Sequence, residues 1–93
     1  MIRFEATSKF DIAYRKLVTK NPSLHYLIYQ RVRWFCKNPN DSRLKNHALH
    51  KRLSGKWAFS VTDDIRIVYQ FIGKQYVRFL VIGTHKTVYN QNS

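Results

Sequence analysis

Apolar side chains alternate with polar ones along the last third of the chain, between residues 57 and 89. The positions that set this alternation are Trp57, Phe59, Val61, Ile65, Ile67, Tyr69 and Phe71. A period of two predicts strands with one buried face. We therefore predict strands at residues 57–61, 65–71 and 76–82, with turns at 63–64 and 73–74. The third of these strands is almost continuously apolar, so we expect it to lie inside the sheet.

The first half of the chain carries one strand pattern followed by two helical patterns. Residues 2–6 alternate and predict a first strand, at a sheet edge or paired with a later strand. Ser8 is the predicted N-cap of the first helix, with Asp11 three positions on, and Ser23 is the predicted N-cap of the second. Each helix is expected to end at an Asn-Pro pair, because proline removes a backbone donor.

The order β-α-α-β-β-β predicts an α+β fold in a single domain, residues 1–93. Two N-terminal helices would pack on one face of a small antiparallel or mixed sheet. Arg66 has the opposite parity from Ile65 and Ile67, so we expect it to project from the other face. His85 follows the third strand in a predicted loop, from which it can overhang that second face. We therefore expect the site chemistry to gather around Arg66 and His85.

The charge of the chain is strongly one-sided, with 17 Lys and Arg against 5 Asp and Glu in 93 residues. Clustered cations displace counterions from phosphate backbones, so a net charge of +12 predicts a nucleic-acid partner. An anionic membrane is the less favoured partner, since no basic amphipathic helix stands out. We recognise no signal peptide or membrane-spanning run and expect a cytoplasmic protein. The lone cysteine, Cys36, excludes an internal disulfide.

Residues 43–56 form the most basic segment and lie just before the predicted sheet. The expected RNA phosphate contacts are Lys45, His50, Lys51, Arg52, Lys56 and, beyond the third strand, Lys86. His85 is a candidate proton donor or acceptor, since an unperturbed histidine titrates near neutral pH. Arg66 can bind two phosphate oxygens and stabilise charge in a transition state. The alternative for Arg66 is an ion pair with Asp63 or Asp64.

A metal site is disfavoured by the sequence. His47, His50 and His85 are possible ligands, but no carboxylate supports them and nearby lysines repel a cation. We therefore predict no metal and no cofactor. The sequence also lacks a glycine-rich phosphate loop and a close carboxylate pair. The coherent route for a nuclease of this kind is attack by an RNA 2′-hydroxyl on the adjacent phosphate, which makes RNA the predicted substrate.

Five short motifs occur in a characteristic order along the chain. They are Leu44-x-x-His47-x-Leu49, Leu53-x-Gly55-x-Trp57-x-Phe59-Ser60-Val61, Asp64-Ile65-Arg66-Ile67-Val68-Tyr69, Ile82-Gly83-Thr84-His85 and Val88-Tyr89. With this spacing, the chain resembles the RelE/ParE superfamily of bacterial toxins. The likeness covers nearly the whole chain and is strongest to the RelE/StbE-type and YafQ-like messenger-RNA interferases.

The resemblance implies the toxin of a type II toxin–antitoxin system that cleaves messenger RNA without a metal, in most members within the ribosomal A site. Its implied partners are a cognate antitoxin, messenger RNA and the ribosome. The catalytic residues that the resemblance implies are His85, Arg66, His47, Asp64 and Tyr89. The general base stays open between His47, His50 and Asp41, and we favour His47.

Two other functions also stay open on the sequence alone. ParE-type members of the superfamily inhibit DNA gyrase, a function that needs neither Arg66 nor His85. The other alternative is a non-catalytic RNA-binding member of the same fold. It arises because the chain lacks the glutamate base of one branch. The chain also has Ser60 and Lys86 where YafQ-like members have a histidine and a tyrosine.

Overall fold

Five strands form one mixed sheet in the computed structural model, which describes residues 1–91. The elements in chain order are β1 (Arg3–Ala6), α1 (Ser8–Lys20), α2 (Leu24–Lys37), β2 (His47–Ala48), β3 (Trp57–Ser60), β4 (Ile65–Gly73), β5 (Tyr76–Thr84) and α3 (His85–Gln91). Short 3-10 turns at Ser42–Leu44 and Lys51–Leu53 flank β2. The predicted α+β fold is confirmed, and β2 and α3 are elements that the sequence did not predict.

The strands are ordered β1-β5-β4-β3-β2 across the sheet. β1 lies at one edge and pairs in parallel with β5, whereas the other three pairs are antiparallel. β5 lies between β1 and β4, as its apolar run predicts. A register shift leaves Leu80 outside the β4–β5 pairing, so Phe79 and Val81 point to opposite faces of the sheet.

Helices α1 and α2 cover the first face of the sheet and bury an aromatic core there. Phe35 from α2 stacks on Phe59 with ring centres 4.4 Å apart, and Tyr69 and Phe79 complete the cluster. All four side chains are fully buried. Aromatic side chains bury large apolar areas, so this cluster fixes α2 against β3, β4 and β5.

The starts of the first two helices differ from the sequence prediction. Thr7, not Ser8, caps α1, because its side-chain oxygen accepts a hydrogen bond from the Phe10 backbone N–H at 3.1 Å. The Thr7 hydroxyl also donates to the Leu80 carbonyl at 2.9 Å, and this bond anchors the cap to β5. Ser23 precedes α2 as predicted, but its hydroxyl donates to the side chain two residues back and does not cap the helix.

The end of the chain also differs from the prediction. β5 continues to Thr84, and α3 follows directly where we predicted a loop for His85. The Thr84 hydroxyl accounts for this helix, because it accepts from the Thr87 backbone N–H at 3.2 Å in the manner of an N-cap. α3 packs its buried Val88 onto the second face of the sheet. The second face is therefore partly covered by a helix that carries His85.

Candidate active site

The second face of the sheet brings Arg66 and His47 to the same side. Arg66 on β4 pairs with Ser60 on β3, and the next residue of β4 on that face, Val68, pairs with Ala58. His47 on β2 pairs in turn with Ala58. Directly paired residues project from the same face, so the His47 and Arg66 side chains share it. Two strand spacings and a two-residue offset place their Cα atoms about 12 Å apart.

Arg66 is partly buried near the start of β4, and its guanidinium is held in one direction. Its Nη1 donates a hydrogen bond to the Thr62 carbonyl at 2.7 Å. The alternative, an ion pair with Asp63 or Asp64, is not formed within the part of the chain that the structure describes. A guanidinium carries five N–H donors, so this one bond orients Arg66 while other donors can reach phosphate oxygens.

His85 and Tyr89 lie one turn apart on α3 and contact each other. Their ring centres are 4.5 Å apart in an edge-to-face arrangement. The His85 backbone N–H donates to the Asp64 carbonyl at 2.7 Å, which ties the start of α3 to the turn before β4. The His85 side chain is exposed and accessible to a ligand.

The Tyr89 hydroxyl links this pair of rings to Arg66. It is buried, and no hydrogen bond of good geometry forms to it within residues 1–91. Burial raises the pKa of the hydroxyl, and the positive charge of the nearby Arg66 offsets part of the increase. Arg66 is thus close enough to Tyr89 to interact electrostatically. His85, Tyr89 and Arg66 therefore form one group beside α3.

The backbone of its own loop orients the exposed His47 ring. Its Nδ1 lies 2.8 Å from the Lys45 carbonyl oxygen, which can only accept a hydrogen bond. Nδ1 must therefore carry the hydrogen, and the lone pair of the neutral ring is on Nε2. Between these two residues, Asn46 accepts a hydrogen bond from the buried Tyr69 hydroxyl at 2.7 Å. The core thus anchors the loop that presents Nε2 as a proton acceptor.

The other predicted site residues differ in exposure and in their contacts with α3. Those with exposed side chains are Lys45, His50, Lys51, Arg52, Asp64 and Lys86, and Lys56 is half-buried. Arg52 donates to the Tyr89 carbonyl at 2.9 Å, so it joins the basic segment to α3. Asp64 contacts His85 through its carbonyl, not through its carboxylate. The structure thus brings Arg52 and Asp64 to opposite ends of α3.

Asp41, one of the three alternatives for the general base, is engaged elsewhere. Its two carboxylate oxygens accept hydrogen bonds from Arg43 at 3.0 and 2.7 Å. The hydrogen bonds from Arg43 lower the pKa of Asp41 to about 2. A carboxylate with so low a pKa is a weak base, which leaves His47 and His50 as the stronger alternatives.

Two residues that position site side chains are absent from the sequence predictions: Thr84, which caps the helix of His85, and Asn46, which anchors the loop of His47. Thr84 caps α3, and a signal for it was available, because threonine is a common N-cap. Asn46 anchors the His47 loop to Tyr69, which lies 23 residues away along the chain. No local pattern indicates a contact of that kind.

Metal ligands do not cluster in this region. Within residues 1–91, no three His, Cys, Asp or Glu side chains lie close enough together to hold a metal ion. Over the same residues, no helix has the length and apolar composition that crossing a membrane requires. The net charge of +12 suits an anionic ligand.

Several toxins of known structure share this fold. YafQ from E. coli BL21(DE3) is 20% identical, with a TM-score of 0.78 over 96% of this chain and 99% of that chain. A metal-bound toxin from Helicobacter pylori is 24% identical, with a TM-score of 0.78 over 95% and 99%. A chain of the YoeB–YefM complex from Staphylococcus aureus is 14% identical, with a TM-score of 0.72 over 91% and 98%. No protein-family model and no curated protein matches the sequence. The predicted RelE-like fold, that of RelE/ParE superfamily toxins, is confirmed.

Proposed function

We propose that this chain is the toxin of a type II toxin–antitoxin system and a metal-independent endoribonuclease that cleaves messenger RNA on the ribosome. One observation carries the proposal: Arg66, His47 and the His85–Tyr89 pair lie on one face of the sheet in a strongly basic protein. A guanidinium and two histidines on one face can supply the charge and the proton transfers that phosphate cleavage needs. The shared fold of the YafQ and YoeB toxins supports it.

Two histidines carry the proton transfers in the proposed reaction. His47 Nε2 accepts the proton of the RNA 2′-hydroxyl, and the 2′-oxygen forms a bond to the adjacent phosphorus. The bond from that phosphorus to the 5′-oxygen of the next nucleotide breaks. Protonated His85 gives its proton to this leaving oxygen. The products are a 2′,3′-cyclic phosphate and a free 5′-hydroxyl, and no water or metal enters the step.

Arg66 stabilises the negative charge that grows on the phosphate oxygens. The Thr62 carbonyl holds the guanidinium before substrate binds, so little reorganisation is needed during the reaction. Loss of one such donor lowers the rate by about 100- to 1000-fold in other enzymes. Tyr89 and the Asp64 carbonyl act on His85, because they fix its ring and its backbone at the start of α3.

The basic segment binds the rest of the RNA strand. Lys45, Lys51 and Arg52 are exposed in the segment on either side of β2, which carries His47, and each can contact a phosphate. Such contacts release counterions, so RNA affinity should fall steeply as salt rises. His50, Lys56 and Lys86 extend the same set of cationic or polar contacts.

An antitoxin is the proposed protein partner. A net charge of +12 favours an acidic segment that covers the second face and blocks access to Arg66. The DinJ–YafQ and YoeB–YefM complexes, which share the fold, support a protein partner of this kind. The cytoplasm is the compartment in which such a toxin meets messenger RNA.

Purified protein, programmed ribosomes and a labelled messenger RNA test the proposal. We expect cleavage within translated codons in the presence of excess chelator. Arg66→Ala and His85→Ala should each lose at least about 100-fold in rate. Arg15→Ala is the matched control, because Arg15 is an exposed arginine on α1. This variant should cleave at the wild-type rate.

Three outcomes would contradict the proposal or a part of it. Intact messenger RNA together with inhibited gyrase supercoiling would assign the chain to the ParE-type function. Intact RNA with retained ribosome or RNA binding would make it a non-catalytic member of the fold. Cleavage that chelator abolishes would instead contradict the metal-independent step.

A further inference from the structure

A second surface with RNA-binding chemistry lies on the outer side of α2, away from Arg66. Tyr26 and Tyr29 are 79% and 57% exposed there and lie one helical turn apart. Arg33 Nη1 donates to the Tyr29 hydroxyl at 3.1 Å, and its guanidinium carbon is 5.7 Å from the centre of the Tyr29 ring. Ring and charge are thus held together before any ligand binds.

Cations and aromatic rings continue along the same helix to Trp34. The guanidinium carbon of Arg31 lies 4.2 Å from the centre of the Trp34 ring, and that of Arg43 lies 3.5 Å from it. An open groove of about 710 Å³ runs along this side of α2, lined by both tyrosines, Arg33 and Trp34. α2 contains no Asp or Glu, and within residues 1–91 the one ion pair at this surface joins Arg43 to Asp41. The groove is therefore mainly aromatic, with Arg33 as its charged lining residue and Leu27 as its aliphatic one.

Bases of single-stranded RNA stack on exposed aromatic rings in a sequence-tolerant way, while arginines contact the phosphates. We propose that the outer surface of α2 binds single-stranded RNA, with bases on Tyr26 and Tyr29 and phosphates on Arg31 and Arg33. At 1.5 Å per residue, the distance from Tyr26 to Trp34 is about 12 Å, enough for roughly two nucleotides. This surface goes beyond the proposed cleavage site, because α2 packs on the opposite face of the sheet from Arg66.

An acidic protein segment is the competing occupant, and the composition of the groove favours RNA. Among the described residues, the large apolar side chains that α2 exposes are the two tyrosines, with no exposed Leu, Ile or Phe. A docked protein helix typically fills a groove with aliphatic anchors, whereas flat polar-edged rings match the faces of bases. His25 packs edge-on against Tyr26 with ring centres 5.7 Å apart, which restricts that ring as a stacking platform requires.

A fluorescent hexauridylate with 2′-O-methyl sugars tests the proposal, because it cannot be cleaved by 2′-hydroxyl attack. Fluorescence anisotropy gives its affinity for the full chain. We expect Tyr26→Ala and Tyr29→Ala each to weaken binding about 5-fold or more. Tyr26→Phe keeps the ring and should bind as the wild type does. Arg15→Gln is the control for loss of charge alone, because Arg15 is an exposed arginine on α1.

Trp34 provides a local reporter of where this RNA binds. The chain has two tryptophans, so Trp57→Phe leaves Trp34 as the only one. RNA on α2 should quench its emission, and Tyr26→Ala/Tyr29→Ala should remove that quenching. The fold of this double variant is checked by its unfolding transition.

The same reporter separates this proposal from the cleavage proposal. Arg66→Ala in the Trp57→Phe chain should lose cleavage and keep Trp34 quenching. Quenching with no cleavage by the wild type would contradict only the cleavage function. Unchanged RNA affinity in a folded Tyr26→Ala/Tyr29→Ala variant would overturn the α2 surface, as would loss of quenching in Arg66→Ala. The α2 assignment would also be wrong if the tyrosine variants bound RNA normally and failed only to bind an acidic antitoxin.

Discussion

The hydrogen bond between Tyr69 and Asn46 joins the aromatic core to the loop that carries His47. The Tyr69 side chain is fully buried, and its hydroxyl donates to Asn46 Oδ1 at 2.7 Å. Burial raises the pKa of Tyr69 to about 12, so the hydroxyl stays protonated at neutral pH. Tyr69→Phe therefore removes one donor from a ring whose packing shape is otherwise kept.

The expected cost of Tyr69→Phe follows from the surroundings of the bond. A net hydrogen bond contributes about 1 kcal/mol to the free energy of unfolding. Asn46 is half-buried, so water can replace the lost donor and the cost should stay near that value. In a domain of this size, about 1 kcal/mol lowers Tm by about 4–8 °C. Urea unfolding followed by tryptophan fluorescence measures the change, and the slope m should not alter.

A double-mutant cycle with Asn46→Ala isolates this bond from the other effects of each change. We expect a coupling energy of about 1 kcal/mol. Tyr76→Phe is the matched control, because its hydroxyl also donates over 2.7 Å, to Glu5, but the Tyr76 side chain is only half-buried. Tyr76→Phe should lower the free energy of unfolding by less than half as much as Tyr69→Phe does. A coupling energy near zero between Tyr69 and Asn46 would refute the view that the core anchors the His47 loop.

Three further changes test other contacts. Thr7→Ala should cost about 1 kcal/mol in urea unfolding, and Ser8→Ala should be nearly neutral, because Thr7 is the cap of α1. Asp41 has a pKa of about 2, below its ordinary value of 3.8, so its stabilising contribution is present above about pH 4 and is lost towards pH 2. The Asp41→Asn variant should therefore be less stable than the wild type at neutral pH. Its free energy of unfolding should fall less than that of the wild type between pH 4 and 2, as acid unfolding measures. Arg52→Met should speed amide hydrogen exchange in α3, because the bond to its last turn is lost.

Much of the sheet is predictable because its signals are local. The alternation around Ile65 and Ile67 places their side chains in the core and Arg66 on the other face, and the structure has this arrangement. The continuous apolar run of β5 predicts its interior position for the same reason. These features depend on residues within a few positions of each other, so a single sequence contains them.

The parts that the sequence did not predict depend on distant contacts. Thr7 caps α1 because its hydroxyl also reaches Leu80, 73 residues away, and Ser8 has the same local chemistry without that contact. α3 contains β-branched residues and has weak helix propensity, so the Thr84 cap alone would not stabilise it, and the packing of Val88 on the sheet is also needed. The site shows the same division. Periodicity indicated Arg66, but the arrangement of His85 and Tyr89 required the helix.

Removal of a single oxygen from the substrate tests whether the RNA 2′-hydroxyl is the nucleophile. Ribosomes are programmed with a messenger RNA in which the nucleotide before the cleaved bond carries a 2′-deoxy sugar, with chelator present throughout. The 2′-hydroxyl is the proposed nucleophile, so we expect no cleavage at that bond, whereas the all-ribose strand yields a 2′,3′-cyclic phosphate end. Cleavage of the 2′-deoxy strand at the same bond would contradict the account, because another nucleophile would then attack the phosphate beside Arg66.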